Sequence, residues 1–415
     1  MKSDYLFQSE FVINNAWRIL SFQDKDLSSP SYGNFHYSYW RDKTSEFADS
    51  RFQEAGATMG ILSSKEYTQY HENLLPSKNI LYRSFSAGLE NLSRLQYDNG
   101  CFDEWYKGER GFAATEFTTI AYGLAAIFLK DELENSDHNR LLLVLTKAGE
   151  WLSLREDKIK SNHQAASGAA LALIWKITGK EYFLHKSIEA IDKTINRQKN
   201  EGWFPEIGGM DLGYCGVLLD YCMIFFWITN DDRVIKPMKK LIKFMLPHIH
   251  PDGTVSGESG ICANPYASRL GLSLLANHSK EALWLLKGTE KNYFSKNVLE
   301  PYLADDLRFC RWSHLPLVAN RFYKSFDYET VKLTKDYYPA GWTIKKSSSL
   351  VAYHSNNIHI YISVAGGGVI RIFNNSDLIF EEKGLLLKKK DCIWNTRGYR
   401  IPRKILHNNN ILSFE

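Results

Sequence analysis

Two short segments carry side chains that could hold an anion or move a proton. Asn162-His163-Gln164 lies between the polar run DKIKS and the apolar run AASGAALALIW, where a helix begins. The first turn of a helix offers unpaired N–H groups and the positive end of the helix dipole, so it suits a carboxylate. Asn162 is also the natural N-cap of that helix. The second segment, Gly209-Met210-Asp211-Leu212-Gly213-Tyr214, again leads from a loop into an apolar run, and Tyr214 follows His163 by 51 residues. A tyrosine whose pKa is lowered by a neighbouring cation can act first as a base and then as an acid.

Carboxylates recur in a pattern that suggests where such groups would meet. Gly100 in DNGCFDE, Gly202 in EGWFPE and Gly253 in DGTVSGE each follow a helical pattern and precede an acidic residue, at spacings of 102 and 51 residues. A 51-residue period suits one antiparallel helical hairpin, and hairpins repeated with like loops on one rim make an (α/α) toroid. On that scheme His163 and Tyr214 stand at equal heights on adjacent hairpins, and Asp103, Glu104, Glu206 and Glu258 surround a common mouth. Two carboxylates drawn from Glu104, Glu206, Asp211 and Glu258 would suit an inverting glycoside hydrolase if they stood roughly 6.5–9.5 Å apart. Trp40, Trp105, Tyr106 and Trp203 offer flat faces for sugar rings, or for packing at helix ends.

The elements that must hold these groups show as periodicity. Apolar residues recur every three or four positions over 80–95, 112–133, 139–154, 163–177, 182–195, 212–228 and 234–246, which predicts a run of amphipathic helices with no strand between them. Residues 1–77 read as an N-terminal lead-in with a helix over 51–62, and residues 78–335 as the toroid. From 336 to 415, short alternating runs rich in β-branched and aromatic residues predict an antiparallel β-domain too thin to stand alone, and therefore docked on the toroid. The expected class is α+β multidomain.

Composition narrows the function. The chain has 415 residues, 44% hydrophobic and 14% aromatic, enough for a large core. Lys plus Arg is 51 against 47 for Asp plus Glu, a balance that predicts no nucleic-acid partner. The apolar run Cys222 to Ile228 is far short of the ~20 residues of a membrane span, so no integral membrane segment is expected. Six scattered cysteines without a CxxC, and an N-terminus without a signal-peptide pattern, point to reduced thiols and a cytoplasmic location. His248-x-His250 lacks further ligands at metal-site spacing, and no P-loop or GxGxxG follows a strand, so no metal or other cofactor is expected.

The segments WYKGERGFAATEFTTIAYGLA, NHQAASGAALAL and EGWFPEIGGMDLGY, with FHYSYWRDKTSEFADSRFQEAG before them, resemble the heparinase II/III-like family of bacterial surface-polysaccharide gene clusters. The resemblance implies an (α/α) toroid followed by an antiparallel β-domain, and a lyase acting on an acidic polysaccharide or oligosaccharide. It implies that Asn162 and His163 neutralise a uronate carboxylate, that Tyr214 takes the C5 proton and protonates the leaving O4, and that a β-domain histidine, His354 or His359, assists. Substrate contacts would fall to Arg110 and Glu109 of the GER motif, Arg269, Arg51, Tyr39 and Trp40, together with Glu104, Trp105, Trp203, Glu206, Asp211 and Glu258 around the mouth. A uronate C5-epimerase on the same site, an inverting glycoside hydrolase and a non-catalytic carbohydrate-binding component of polysaccharide synthesis are the alternative readings. Oligomeric state is not legible.

Overall fold

Helices in this chain are of two kinds, and their composition decides where each goes. The computed structural model describes residues 6–71, 74–255, 266–296, 305–323, 338–365, 367–383, 386–389, 392–395, 405–408 and 411–414. In chain order the first helices are α1 (Phe7–Asn14), α2 (Ala16–Ser21), α3 (Tyr37–Trp40), α4 (Glu54–Ser63), α5 (Lys65–His71), α6 (Lys78–Leu95), α7 (Phe112–Phe128) and α8 (Asn135–Ser153). They are followed by α9 (Ser161–Thr178), α10 (Glu181–Ile195), α11 (Leu212–Thr229), α12 (Ile235–Met245), α13 (Leu270–Leu275), α14 (Lys280–Lys296), α15 (Asp306–Trp312) and α16 (His314–Tyr323).

Helices α4, α7, α9 and α11 are small or apolar on nearly every side. Every residue of α4, and every residue of α9 from Ser161 to Ile174, is buried. Helices of that composition belong inside. By contrast, α12 buries Met238, Leu241, Ile242, Phe244 and Met245 along one stripe and carries Lys236, Lys239, Lys240 and Lys243 elsewhere. The inner helices α4, α7, α9, α11, α13 and α16 pack each against the next, and α16 returns to α4, closing a ring. Helices α6, α8, α10, α12 and α14 back that ring from outside. This is an (α/α) toroid. By length and apolarity α11 could cross a membrane, but 78% of its apolar window is buried among the other helices, and its place in the inner ring accounts for its composition.

The N-terminal segment, expected as a lead-in, supplies α4 to the ring and closes it. Leu6 N–H donates to Asn320 Oδ1 at 3.1 Å, Ser9 Oγ to the Pro316 carbonyl at 2.6 Å, and Tyr67 O–H to the Leu317 carbonyl at 2.6 Å.

The sequence repeat is a repeated joint. Where outer α6 ends, Gln96 Nε2 donates to the carbonyls of Gly100 and Val144, both at 2.9 Å; where outer α10 ends, Gln198 Nε2 donates to Gly202 and Pro237, again at 2.9 Å. In the three Gly100, Gly202 and Gly253 loops the glycine N–H returns to the carbonyl three residues back. A fourth copy escaped the sequence pattern. Gln23 Nε2 donates to Gly33 and Ser84 ahead of α4, but ten residues rather than four separate its glutamine from its glycine. Gly33, Gly100 and Gly202 all have positive φ, and a Cβ on Gly100 would stand 2.1 Å from the Lys147 carbonyl oxygen, so the loop can seat on the next outer helix only with glycine there.

Strands β1 (Gly341–Lys345), β2 (Leu350–His354), β3 (Ile358–Ser363), β4 (Val369–Asn374) and β5 (Asp377–Glu382) form an antiparallel meander in sequence order. Two further hairpins pair β6 (Leu386–Lys389) with β7 (Cys392–Asn395) and β8 (Ile405–Asn408) with β9 (Ile411–Phe414). The five-stranded sheet docks on the toroid through Tyr361 O–H to the Ile249 carbonyl (2.8 Å), His354 Nε2 at the Pro247 carbonyl (2.9 Å) and Trp203 Nε1–H to Ser347 Oγ (3.0 Å).

Candidate active-site cleft

Each outer helix hands the chain to the next inner helix at the same rim, so the N-termini of α7, α9 and α11 converge there. They surround a cleft of about 440 Å³ that is also lined by Arg51, by the loops bearing Glu104, Trp105, Glu206 and Ile207, and by α15. Converging helix N-termini add their positive dipole ends to the field in the cleft. Lys160, Arg308 and Arg311 face it as well. An anionic ligand is the chemistry such a field favours.

Seven residues singled out in the sequence line this one cleft: Arg51, Glu104, Trp105, Asn162, His163, Glu206 and Tyr214. Tyr214 sits in the first turn of α11, its N–H capped by Asp211 Oδ1 at 3.1 Å, which accounts for Asp211. Asn162 was expected as the N-cap of α9. The cap is Lys160 instead, and Glu206 takes the capping role from the neighbouring loop, accepting the Asn162 N–H at 2.8 Å and its Nδ2–H at 2.6 Å. Ser161 fixes the same loop by donating Oγ–H to the Pro205 carbonyl at 2.6 Å. Burial pushes the Glu206 carboxyl up to about 8 in spite of those two hydrogen bonds. Next to it, His163 Nδ1 lies 2.9 Å from Glu116 Oε1.

The cationic wall is built on carboxylates. Arg51 is sandwiched between Glu54 and Glu104, its guanidinium 4.3 Å from the Phe117 ring centroid. Arg311 bridges Glu104 Oε1 at 2.8 Å and Asp49 Oδ2 at 2.7 Å. Burial, opposed by Arg51, raises the Glu54 carboxyl to about 7. Trp105 is 69% exposed beside this wall, and Arg311 lies 5.8 Å from its ring centroid, so a flat apolar face borders the charged floor.

Other expected site residues stand elsewhere. Glu109 accepts the N–H groups of Glu104 and Trp105 at 2.9 and 2.8 Å and so shapes the rim loop. Arg110 has positive φ and stacks on Tyr97, and its N–H, with that of Gly108, is held by Asp103. Trp203 belongs to the sheet–toroid junction, Arg269 is buried in an ion pair with Glu290, and Trp40 Nε1 donates to the Phe22 carbonyl. Tyr39 is half-buried near the N-terminus and does not line the cleft. His354 and His359 meet each other at 2.9 Å between their Nδ1 atoms, within the junction rather than on the cleft lining. His248 and His250 are buried near the same junction, and among the described residues no group of three or more metal-ligating side chains forms. Glu258 lies outside the described residues.

Arg308, Arg311, Trp312 and Tyr266 also line the cleft, and none of them stands in a motif. Glu116, beneath His163, did leave a signal: it is the one charged residue in the apolar helix α7.

No protein-family model matches the chain, and no curated protein does. Solved structures do. A xanthan lyase from Paenibacillus superposes with a TM-score of 0.59 at 12% identity, covering 89% of this chain and 37% of that one. The chondroitin AC lyase of Streptomyces coelicolor A3, in complex with chondroitin sulphate, gives 0.56 at 12% identity over 86% of this chain and 49% of that one. A mutant of the same lyase gives 0.57 at 11%, with 89% and 54% covered. The chain therefore spans roughly a third to a half of the length of these enzymes. What is shared is the fold: this toroid with its antiparallel sheet is a polysaccharide lyase-like architecture, and since none of these three is a heparinase the likeness does not reach that narrower family.

Proposed function

We propose that the protein is a polysaccharide lyase, heparinase II/III-like in its motifs, that cleaves a uronic-acid-containing polysaccharide by β-elimination. The observation that carries this reading is the meeting of Asn162, His163 and Tyr214 in one cationic cleft at the toroid mouth. Lyases with the same fold are described with xanthan and chondroitin sulphate, both acidic polymers, which supports an acidic substrate here.

The chemistry follows from the residue types. Taking the proton from C5 of a uronate places negative charge on its carboxylate, so donors must stand where that charge grows. His163 and the cations of the cleft wall supply them, and Asn162 joins them when Glu206 yields its amide. Tyr214, as its phenolate, takes the C5 proton; the C4–O4 bond then breaks, and the departing oxygen takes that proton from the Tyr214 hydroxyl, restoring the phenolate. Trp105 offers a sugar-stacking face at the entrance.

Glu206 supports one other reading. A carboxyl held near pH 8 remains an acid at neutral pH, as a glycosidase acid must, and Glu104 is a second carboxylate on the same cleft lining. One assay separates the two. Purified protein is incubated with a panel of polyuronates, and the ultraviolet absorbance of the unsaturated uronate is followed. Elimination raises it, and Tyr214→Phe should lower kcat by about 10²–10⁴-fold while substrate binding by calorimetry persists. New reducing ends without that absorbance, lost in Glu206→Gln and kept in Tyr214→Phe, would establish hydrolysis instead.

A further inference from the structure

Glu116 is the only charged residue of α7, and its side chain is wholly enclosed. A carboxyl so placed is costly unless its polar atoms find partners. Among the described residues no lysine or arginine forms an ion pair with it, and neither carboxyl oxygen, nor the facing His163 Nδ1, has a well-angled hydrogen-bond partner. What it has is His163: Oε1 stands 2.9 Å from Nδ1, with Asp157 Oδ2 4.0 Å from the same nitrogen. With Nδ1 turned inward to Glu116, Nε2 is the ring nitrogen left for a molecule in the cleft that His163 lines.

We propose that Glu116 is a positioning residue whose carboxylic acid donates its O–H to His163 Nδ1, fixing the imidazole as the tautomer that carries its proton on Nε2 and presents it to the cleft. Two arrangements are compatible with a 2.9 Å contact. An ionised Glu116 would accept from Nδ1–H and leave a lone pair on Nε2, making His163 a base. A protonated Glu116 can donate its O–H to Nδ1, the acceptor within reach, which makes His163 a donor through Nε2. The surroundings favour the second. Burial, reinforced by Asp157 and opposed by Arg51 and Lys160, holds the Glu116 carboxyl well above the usual carboxylate range. Burial, joined by Lys160 and Arg51, holds the imidazole well below its ordinary value. With both groups neutral, Nδ1–H could be accepted only by a carboxyl whose own O–H sits on Oε2, where no acceptor stands, so the arrangement that leaves no buried donor unused puts the proton on Oε1 and aims it at Nδ1.

The assignment bears on the lyase reading by dividing the labour. A histidine whose Nε2 carries the proton stabilises the charge growing on the uronate carboxylate and cannot take the C5 proton, which therefore goes to Tyr214. Only this consequence rests on the lyase reading; the tautomer itself does not.

The test begins without substrate. The full chain is labelled with ¹⁵N-histidine, His163 is assigned by its disappearance in His163→Gln, and its two ring nitrogens are read at neutral pH in a long-range ¹H–¹⁵N spectrum. Nδ1 should be unprotonated and Nε2 protonated. Glu116→Gln, whose amide N–H can donate in the same place, should keep that pattern, whereas Glu116→Leu should lose it and show a tautomer mixture. In turnover, Glu116→Gln should stay within a few-fold of wild type, and Glu116→Leu should lose about 10- to 100-fold in kcat with little change in KM. A proton on Nδ1 in the wild type, a cationic ring, or a pattern unmoved in Glu116→Leu would overturn the assignment. If Glu116→Leu does not fold, the wild-type and Glu116→Gln spectra still decide it. Absence of elimination with the expected tautomer present would count against the lyase reading alone, while elimination with a proton on Nδ1 would count against this inference alone.

Discussion

Asn162, His163 and Tyr214 were legible because each stands where a polar loop turns into an apolar run, the one context in which a short motif also fixes a position on a helix. Arg311 was not, since nothing in RFCRW marks it until Asp49 and Glu104 are seen to grip it from distant segments. Glu206 was legible as a rim carboxylate, but its hold on Asn162 was not, because a cap supplied from 44 residues away leaves no local signature. That hold has a consequence for stability. The folded Glu206 carboxyl is raised from the ordinary 4.5 to about 8, so between those values the folded state holds a proton that the unfolded state has lost. Stability must therefore fall as pH rises through that window, by up to about 1.4 kcal/mol per pH unit from this group. Glu206→Gln, which cannot ionise, should lose about 1–2 kcal/mol less than wild type between about pH 5.5 and 7.5. Urea unfolding at the two pH values measures it, and identical slopes in the two proteins would show that Glu206 is ionised in the fold.

At the scale of elements, periodicity located the helices to within a few residues because inner and outer helices alike bury a continuous face. Beyond residue 246 no individual helix was read: α13 and α15 are too brief to display a period, and the longer α14 and α16 were passed over with them. The glycine repeat found three of the rim joints and passed over the one at Gly33, whose longer loop breaks the spacing on which a sequence repeat depends. The joints make a prediction that separates two roles of glycine. Gly100 and Gly108 both have positive φ, 96° and 83°, yet a Cβ on Gly100 meets the Lys147 backbone at 2.1 Å while one on Gly108 meets nothing within 4 Å. Gly108→Ala should therefore cost only the conformational strain, about 1–2 kcal/mol. Gly100→Ala adds a backbone clash that must push the loop off α8, and should cost about 3 kcal/mol or more. Equal losses in thermal or urea denaturation would mean that the joint shifts freely and that the glycine serves its φ alone.

Over the whole molecule, the decisive feature is that the helical array closes. An open array of hairpins ends in units that expose an apolar flank and need capping, whereas here the first helices seal against the last. In α1, Val12 and Ile13 are buried, and its backbone and side chains engage Asn320, Glu290 and Pro316, while Arg18 on α2 pairs with Asp306 at the start of α15. Because α15 carries Arg311, the seal and the cationic wall of the cleft are mechanically one piece. Asn320→Ala removes the acceptor for a single buried N–H and should cost about 1–3 kcal/mol. A chain beginning at Ala16 loses the burial of Leu6, Val12 and Ile13 as well, each worth about 1.5–3 kcal/mol, and leaves Asn320 without its partner. Its urea midpoint should fall much further, and affinity for an acidic oligosaccharide should fall with it as α15 loosens. A truncated chain no less stable than Asn320→Ala would mean that the inner ring holds itself closed without α1, through α4 and α16 alone.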